Sequence, residues 1–96
     1  MENISNLEYT ILDLLRAGQE RYGLEMVSES GGALKRGSIY VTLSRMERKG
    51  YIESRQEIVP SVPGMPRRLY RVTGLGQQAL SAADAARAAF YGGQHA

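Results

Sequence analysis

The chain has 96 residues, of which 43% are hydrophobic and 23% charged, and its net charge is +2. This length fits one domain with a modest apolar core, which gains stability from a partner chain. The absence of cysteine and the single histidine, His95, argue against disulfides, metal sites, bound cofactors and histidine-based catalysis, and therefore against an enzyme. No apolar run suits a membrane span and the start of the chain lacks a signal peptide, so we expect a cytoplasmic protein with no membrane partner.

The charges are segregated along the chain. Residues 1–34 hold two basic and six acidic residues, a net charge of −4, whereas residues 35–71 hold nine basic and three acidic residues, a net charge of +6. A basic centre behind an acidic first third suggests that one face binds a polyanion. An ordinary solvated surface would give the same count, so charge alone leaves both interpretations open.

Two short helices are predicted in the first third of the chain. Ser5 and Glu8 have the spacing of a capping box, in which each side chain accepts a hydrogen bond from the other residue's backbone amide. Apolar residues then recur every three or four positions, which predicts a helix over residues 5–17 with one buried face. A second helix is expected over residues 22–28, because a glycine pair follows it and permits a sharp turn.

The third predicted helix, over residues 38–49, has two faces of different character. Ile39, Leu43 and Met46 recur at the spacing of one buried face, with Tyr40 at its border. The opposite side is mostly polar and cationic, and an amphipathic helix on a solvated surface would show the same pattern. The residues expected to point outward are Ser38, Val41, Thr42, Arg45 and Lys49, flanked by Arg48.

The rest of the sequence predicts a β-hairpin and a long last helix. Residues 51–57 and 67–72 contain β-forming residues and are separated by a proline-rich loop. An alanine-rich helix is expected over residues 74–91, followed by a disordered tail at 92–96. The order of elements predicts an α+β, mostly helical fold, with a winged helix-turn-helix of three helices and a two-stranded wing in residues 1–73. In that fold the third helix faces the major groove of DNA.

The last helix carries an apolar seam that predicts a homodimer. Small apolar residues recur at alternating steps of four and three, as in a coiled coil, at Leu75, Ala79, Ala82, Ala86 and Ala89. Alanine buries little area, so we expect the first helix to complete the interface. The predicted set therefore also includes Ile4, Leu7, Ile11 and Phe90. The alternative is that the helix folds back onto its own domain, or forms only because alanine favours helices.

Five short motifs follow one another over nearly the whole chain. They are Leu14-Leu15-Arg16-Ala17-Gly18, Tyr22-Gly23-Leu24-Glu25-Met26, Gly37-Ser38-Ile39-Tyr40, Arg45-Met46-Glu47-Arg48-Lys49-Gly50-Tyr51-Ile52 and Gly64-Met65-Pro66-Arg67-Arg68-Leu69-Tyr70-Arg71-Val72-Thr73. Each motif alone is weakly specific, whereas their succession is specific. In this order and with these gaps, the motifs resemble those of the PadR family of transcriptional regulators.

The resemblance implies a dimeric, sequence-specific DNA-binding regulator, most often a repressor, which would occupy a palindromic site. The alternative is a winged-helix protein-interaction module that modulates another regulator, because a fold alone does not determine function. Short members of the family can hold flat aromatic compounds at the dimer interface, which leaves a small-molecule effector open. Tyr9, Met26, Phe90 and Tyr91 could line such a pocket, although these residue types more often form plain core, and no ligand residue is assigned.

The predicted DNA-contacting residues lie in the third helix and at the base of the wing. Arg45 has the fork geometry that binds guanine, whereas the other cations of the helix are expected to neutralise phosphates. Arg67 and Arg68 are expected to form one continuous cationic surface with the helix and to reach the backbone or the minor groove. The complete predicted set is Lys35, Ser38, Tyr40, Val41, Thr42, Arg45, Arg48, Lys49, Arg67 and Arg68.

The sequence departs from the family pattern at several positions. Val41 stands where the family usually has proline, and Gln19 replaces a common proline after the first helix. The wing loop over residues 58–65 is apolar at its tip, where the family usually has basic or polar residues. We interpret this loop as a stiff connection, although contact with DNA or with another chain would also suit it.

Overall fold

Four helices and three short strands make up the fold in the computed structural model, which describes residues 4–58, 63 and 66–94, the last four by their backbone alone. The elements are α1 (Asn6–Leu15), β1 (Arg21–Tyr22), α2 (Gly23–Glu29), α3 (Ile39–Arg48), β2 (Ile52–Gln56), β3 (Arg68–Val72) and α4 (Gly74–Gln94). The predicted α+β architecture is confirmed. Among the described helices, none combines the length and the apolar character needed to cross a bilayer.

The observed elements differ from the predicted ones in two places. Strand β1 has only two residues and was missed, because it is too short to produce a periodic pattern. Helix α4 continues to Gln94, three residues beyond its predicted end at residue 91. Residues 95–96 and most of the wing loop predicted at 58–65 lie outside the described residues.

Helix α1 begins at the predicted capping box and supplies the centre of the core. The Ser5 hydroxyl accepts a hydrogen bond from the Glu8 amide at 3.1 Å, and the Glu8 carboxylate accepts one from the Ser5 amide at 2.9 Å. Ile11, Leu12 and Leu15 then lie fully buried on one face of the helix. They share a single cluster with residues of every other helix and of strands β2 and β3, so α1 is the element around which the domain packs.

The strands form an antiparallel sheet in the order β1-β3-β2, with one face on the core and one face outside. Tyr70 of β3 is buried on the inner face. On the outer face, the guanidinium of Arg55 holds the Glu20 carboxylate through two hydrogen bonds of 2.8 Å. Arg71 and Glu53 form a second ion pair across the two strands. Arg55 and Arg71 on this outer face are therefore matched by carboxylates of the same chain.

The first half of α4 is held against α1 by apolar and polar contacts. Leu80 is buried in the core, and the Tyr9 hydroxyl of α1 donates a 2.6 Å hydrogen bond to Asp84. Arg16 donates to the same carboxylate at 2.9 Å, while Arg87 stacks on the Tyr9 ring, 3.7 Å from its centroid. Hydrogen bonds from Arg16 and then from Tyr9 lower the pKa of Asp84 below its ordinary value. The helix thus folds back onto its own domain over this part of its length.

A close approach at the start of α4 requires glycine at position 76. A Cβ atom there would lie 2.1 Å from the Tyr51 carbonyl oxygen and 2.8 Å from the Val72 Cγ2 atom, whereas a Cβ atom at Gly74 would meet nothing within 4 Å. We therefore expect Gly76→Ala to lower the free energy of unfolding by about 1–3 kcal/mol, and Gly74→Ala to leave it unchanged or raise it slightly. Thermal unfolding followed by circular dichroism measures both, and equal stability of the two variants would contradict this packing.

Candidate nucleic-acid interface

Helix α3 is fixed in the core by one face, which forces the opposite face outward. Ile39, Leu43 and Met46 are buried, and each exposes at most 1% of its surface. At 100° per residue the positions opposite them form a row with the spacing i, i+3, i+4, i+7. All four side chains of this row, named here the outward stripe, are exposed: Val41, Ser44, Arg45 and Arg48.

The first turn of α3 sits tightly on the beginning of α2. A Cβ atom at Gly23, the first residue of α2, would lie 2.8 Å from the Tyr40 ring. The ring therefore packs directly on the backbone of α2 while about half of its surface stays exposed. This contact sets the position of α3 relative to α2, as a helix-turn-helix requires. Ser38 is exposed, as predicted, and Tyr40, which was predicted at the border of the buried face, also reaches the surface.

The cations around the outward stripe lack the carboxylate partners that hold several of the cations elsewhere in the domain. Among the described residues, no ion pair or side-chain hydrogen bond involves the basic groups of Lys35, Arg36, Arg45 or Arg48. By contrast, ion pairs bind Arg16, Arg21, Arg55 and Arg71. The excess positive charge is consequently concentrated on α3 and on the turn that precedes it, where it can attract a polyanion.

The outward orientation predicted for Thr42 and Lys49 is wrong. Thr42 is only 4% exposed, and its hydroxyl donates to the Ser38 carbonyl at 3.3 Å. The Lys49 ammonium lies 3.0 Å from the carboxylate of Glu8 in α1. Both positions lie at the edge of the helix face, where the packing of neighbouring elements, rather than helical spacing, decides which way a side chain points.

The pair formed by Glu8 and Lys49 ties the end of α3 to α1. Glu8 is 3% exposed, and its burial opposes ionisation. Although burial by itself raises the pKa of Glu8, the hydrogen bond from the Ser5 amide and the Lys49 ammonium together lower it below its ordinary value. The carboxylate thus stays charged, because a buried charge of this kind persists only when it is paired. Glu8 was assigned from the sequence only to the capping box of α1, so its second role, in positioning α3 through Lys49, was not predicted.

The two arginines at the base of the wing lie on opposite faces of the sheet. Arg67 stacks on the Tyr22 ring of β1, with its guanidinium carbon 3.8 Å from the ring centroid. Arg68 donates to the Ser54 hydroxyl at 3.1 Å, and that hydroxyl donates in turn to Glu47 of α3. Tyr22 pairs with Leu69, which points to the face opposite to Arg68 because adjacent residues of a strand alternate, so only Arg68 lies on the side of α3. The expectation of one continuous surface that includes both arginines is wrong for Arg67.

Two polar residues near the outward stripe were not among the predicted contacts. Ser44 is exposed within the stripe itself, and Arg36 is exposed in the turn before α3. The spacing of Ser44 from Val41 and Arg48 could have identified it, because the three positions share one helical face. Arg36 had only its charge as a signal.

Six of the nine residues predicted for a dimer interface are exposed, and three are not. Ile11 and Ala79 are buried in the core of their own domain, so their assignment to an interface between chains is wrong. Ile4 is half-buried and packs against the same core. The remaining predicted residues are exposed on one or other of the two helices: Leu7, Leu75, Ala82, Ala86, Ala89 and Phe90.

An open groove of about 820 Å³ runs between α1, the end of α2 and the second half of α4. Tyr9, Leu14, Ala86 and Phe90 contribute apolar surface to it, and Phe90 is 63% exposed. Met26, which could have lined an effector pocket, is fully buried in the core instead. Within the described residues no group of three or more histidine, cysteine, aspartate or glutamate side chains could hold a metal ion.

Several solved structures that are similar to this chain are PadR family or PadR-like transcriptional regulators. A PadR family transcription regulator from hypervirulent Clostridium difficile R20291 is 28% identical, with a TM-score of 0.72 and 91% of each chain covered. A PadR-like transcriptional regulator from Bacillus cereus is 26% identical, with a TM-score of 0.74 over 93% of this chain and 87% of that one.

Bacillus subtilis PadR, solved in complex with operator DNA, is 29% identical, with a TM-score of 0.69 over 80% of this chain and 46% of that one. No match was found among curated proteins. The sequence model of the PadR-like family of transcriptional regulators matches residues 11–82, which is well over half of the chain. The chain therefore belongs to the PadR-like family, whose members are transcriptional regulators and not enzymes.

Proposed function

We propose that this regulator binds a specific, palindromic DNA operator as a homodimer and represses transcription by occupying it. The observation that carries the proposal is the cluster of cations without carboxylate partners around the outward stripe of α3. A cluster of cations without carboxylate partners, in a domain where several other cations are held in ion pairs, fits a binding site for phosphates. The operator complex of Bacillus subtilis PadR supports DNA as the partner.

In this proposal α3 lies in the major groove with its outward stripe on the base edges. Arg45 presents a guanidinium fork that can donate two hydrogen bonds to guanine, and Ser44 can donate one to a neighbouring base or phosphate. Lys35, Arg36 and Arg48 neutralise phosphates, which gives affinity without sequence information. Arg68, on the same side of the sheet as α3, reaches the backbone beside the wing.

A dimer would place two copies of α3 about one DNA turn apart. We propose that the second half of α4 and the exposed part of α1 pair with the same surfaces of another chain, so that the open groove is covered by the partner's α4. A twofold arrangement separates the recognition helices by roughly 34 Å and favours a palindromic site. A flat aromatic effector held at this interface would fit the same groove.

A protein partner remains the second candidate function, and one exposed residue favours it. Ile58, at the start of the wing loop, is 87% exposed. An apolar side chain in that position suits a protein surface better than a phosphate backbone. The salt dependence of DNA binding separates the two candidates, because only a phosphate-tracking surface releases counterions.

Arg45→Ala should weaken binding to the preferred duplex by about 5- to 150-fold and relax base choice at one position of each half-site, because a bidentate contact with guanine is lost. The matched control is Arg55→Ala on the outer face of the sheet, whose guanidinium is held by Glu20. Fluorescence anisotropy on a duplex selected from a random pool measures both variants. Equal affinities of the two variants would contradict the assignment of α3 as the recognition helix.

Arg48→Ala should weaken binding to all duplexes alike and reduce the slope of log K against log salt by about 1, because one phosphate contact is removed. The measurement is a titration of an unrelated duplex at several salt concentrations. If wild-type affinity for that duplex did not fall between about 50 and 200 mM salt, the phosphate-binding surface would be refuted and the protein-partner function favoured.

Ala86→Glu should dissociate the proposed dimer, whereas Ala88→Glu should not. Ala86 lines the groove between α1 and α4, and a carboxylate there would be buried without a partner. Ala88 is exposed and, two residues later on the helix, points away from this groove. Sedimentation velocity gives the masses of both variants, and a dimeric Ala86→Glu variant would show that the chains pair elsewhere.

A further inference from the structure

Val41 is an exposed apolar residue in the middle of a cationic surface. It lies in the first turn of α3 and its side chain is 67% exposed, although valine neither caps a helix nor favours one. Thr42, its neighbour, is buried, and Ser44 and Arg45 are the next residues on the same outward stripe. Among the described residues, Val41 belongs neither to the core cluster nor to the apolar residues packed against it.

The surroundings of Val41 favour nucleic acid over protein as the partner that covers it. Arg45 and Arg48 follow it on the same face, and Lys35 and Arg36 precede it in the adjacent turn. None of these cations has a carboxylate partner among the described residues. A docked protein would have to supply several carboxylates around one small apolar contact, whereas a DNA duplex supplies phosphates on both sides of its major groove.

We propose that Val41 contacts the 5-methyl group of a thymine in each half-site and thereby determines one base of the operator. The inference rests on the proposed DNA-binding function. The thymine methyl is the one apolar group that the major groove displays, and small apolar side chains recognise it by excluding water. The N-terminal turn of a recognition helix is the part that reaches base edges, which is where Val41 lies.

The spacing within α3 also fixes where this thymine lies relative to the base read by Arg45. The two residues are four positions apart on one face, a separation of about 6 Å along the helix axis at 1.5 Å per residue. Base pairs are stacked about 3.4 Å apart. The thymine should therefore lie within about two base pairs of the guanine bound by Arg45.

The test is a double-mutant cycle between the side chain and the methyl group. Deoxyuridine replaces each thymine of a selected duplex in turn, which removes the methyl group and leaves all hydrogen-bonding groups in place. For wild type, one such replacement per half-site should weaken binding about fourfold, as expected for loss of one buried methyl contact. In Val41→Ala the same replacement should have little effect, because the contact is already lost.

A matched control shows that the effect belongs to Val41. Leu24, in α2, is also an exposed apolar residue, and Leu24→Ala should keep the wild-type response to deoxyuridine. Val41 is exposed, so Val41→Ala should fold as wild type does, which circular dichroism checks. Full methyl sensitivity in Val41→Ala, or no sensitive thymine in wild type, would overturn this inference alone. Failure to select any preferred duplex would overturn the proposed DNA-binding function as well.

Discussion

The burial of one face of α3 against α1 is the constraint on which the rest of the structure depends. Ile39, Leu43 and Met46 lie in the same apolar cluster as Ile11 and Leu15 of α1. Once that face is fixed, the 3.6-residue period determines which side chains at the centre of the opposite face point outward, while neighbouring elements decide the orientation at its edges. The functional surface is thus a geometric consequence of the core, and a change in the packing of α1 would rotate the residues that we propose read DNA.

Polar contacts at the ends of helices complete this positioning. The Glu8 carboxylate serves twice, because it caps α1 through the Ser5 amide and binds the Lys49 ammonium at the end of α3. Removing either partner would leave the other charge buried or half-buried without compensation, which is costly in the interior of a domain. A similar arrangement at Asp84 joins α4 to α1 through Tyr9 and Arg16. Helix α1 is therefore linked both to the proposed recognition helix and to the helix that would carry a partner chain.

The distribution of paired and unpaired charge separates the two sides of the domain. On the outer face of the sheet, the charges of Arg55 and Arg71 are compensated by ion pairs with Glu20 and Glu53. Around α3 the positive charges add, because the described residues provide no carboxylates for them. Both groups of arginines look alike in the sequence, and only the fold distinguishes a neutralised surface from one that attracts phosphates.

Local patterns in the sequence were sufficient to predict the four helices and to identify the family. Contacts between residues that are distant in the sequence were not predictable from these patterns. The capping box at Ser5 and the apolar spacing of α3 depend on near neighbours, and both were predicted. The burial of Thr42, the pairing of Lys49 with Glu8 and the two-residue strand β1 depend on elements that meet only in the folded chain. Arg67 and Arg68 point in opposite directions, as neighbouring residues of an extended strand do. The predicted strand over residues 67–72 already implied this difference, but only the charges of the two arginines were considered in predicting their surface.

Chemical-shift mapping on the ¹⁵N-labelled protein with a selected duplex tests the central claim most directly. The account predicts that the largest amide shifts occur over residues 35–48 and at Arg68, while Arg55 and Arg71 on the outer face of the sheet change little. Large shifts at Arg55 and Arg71, with residues 35–48 unchanged, would contradict it.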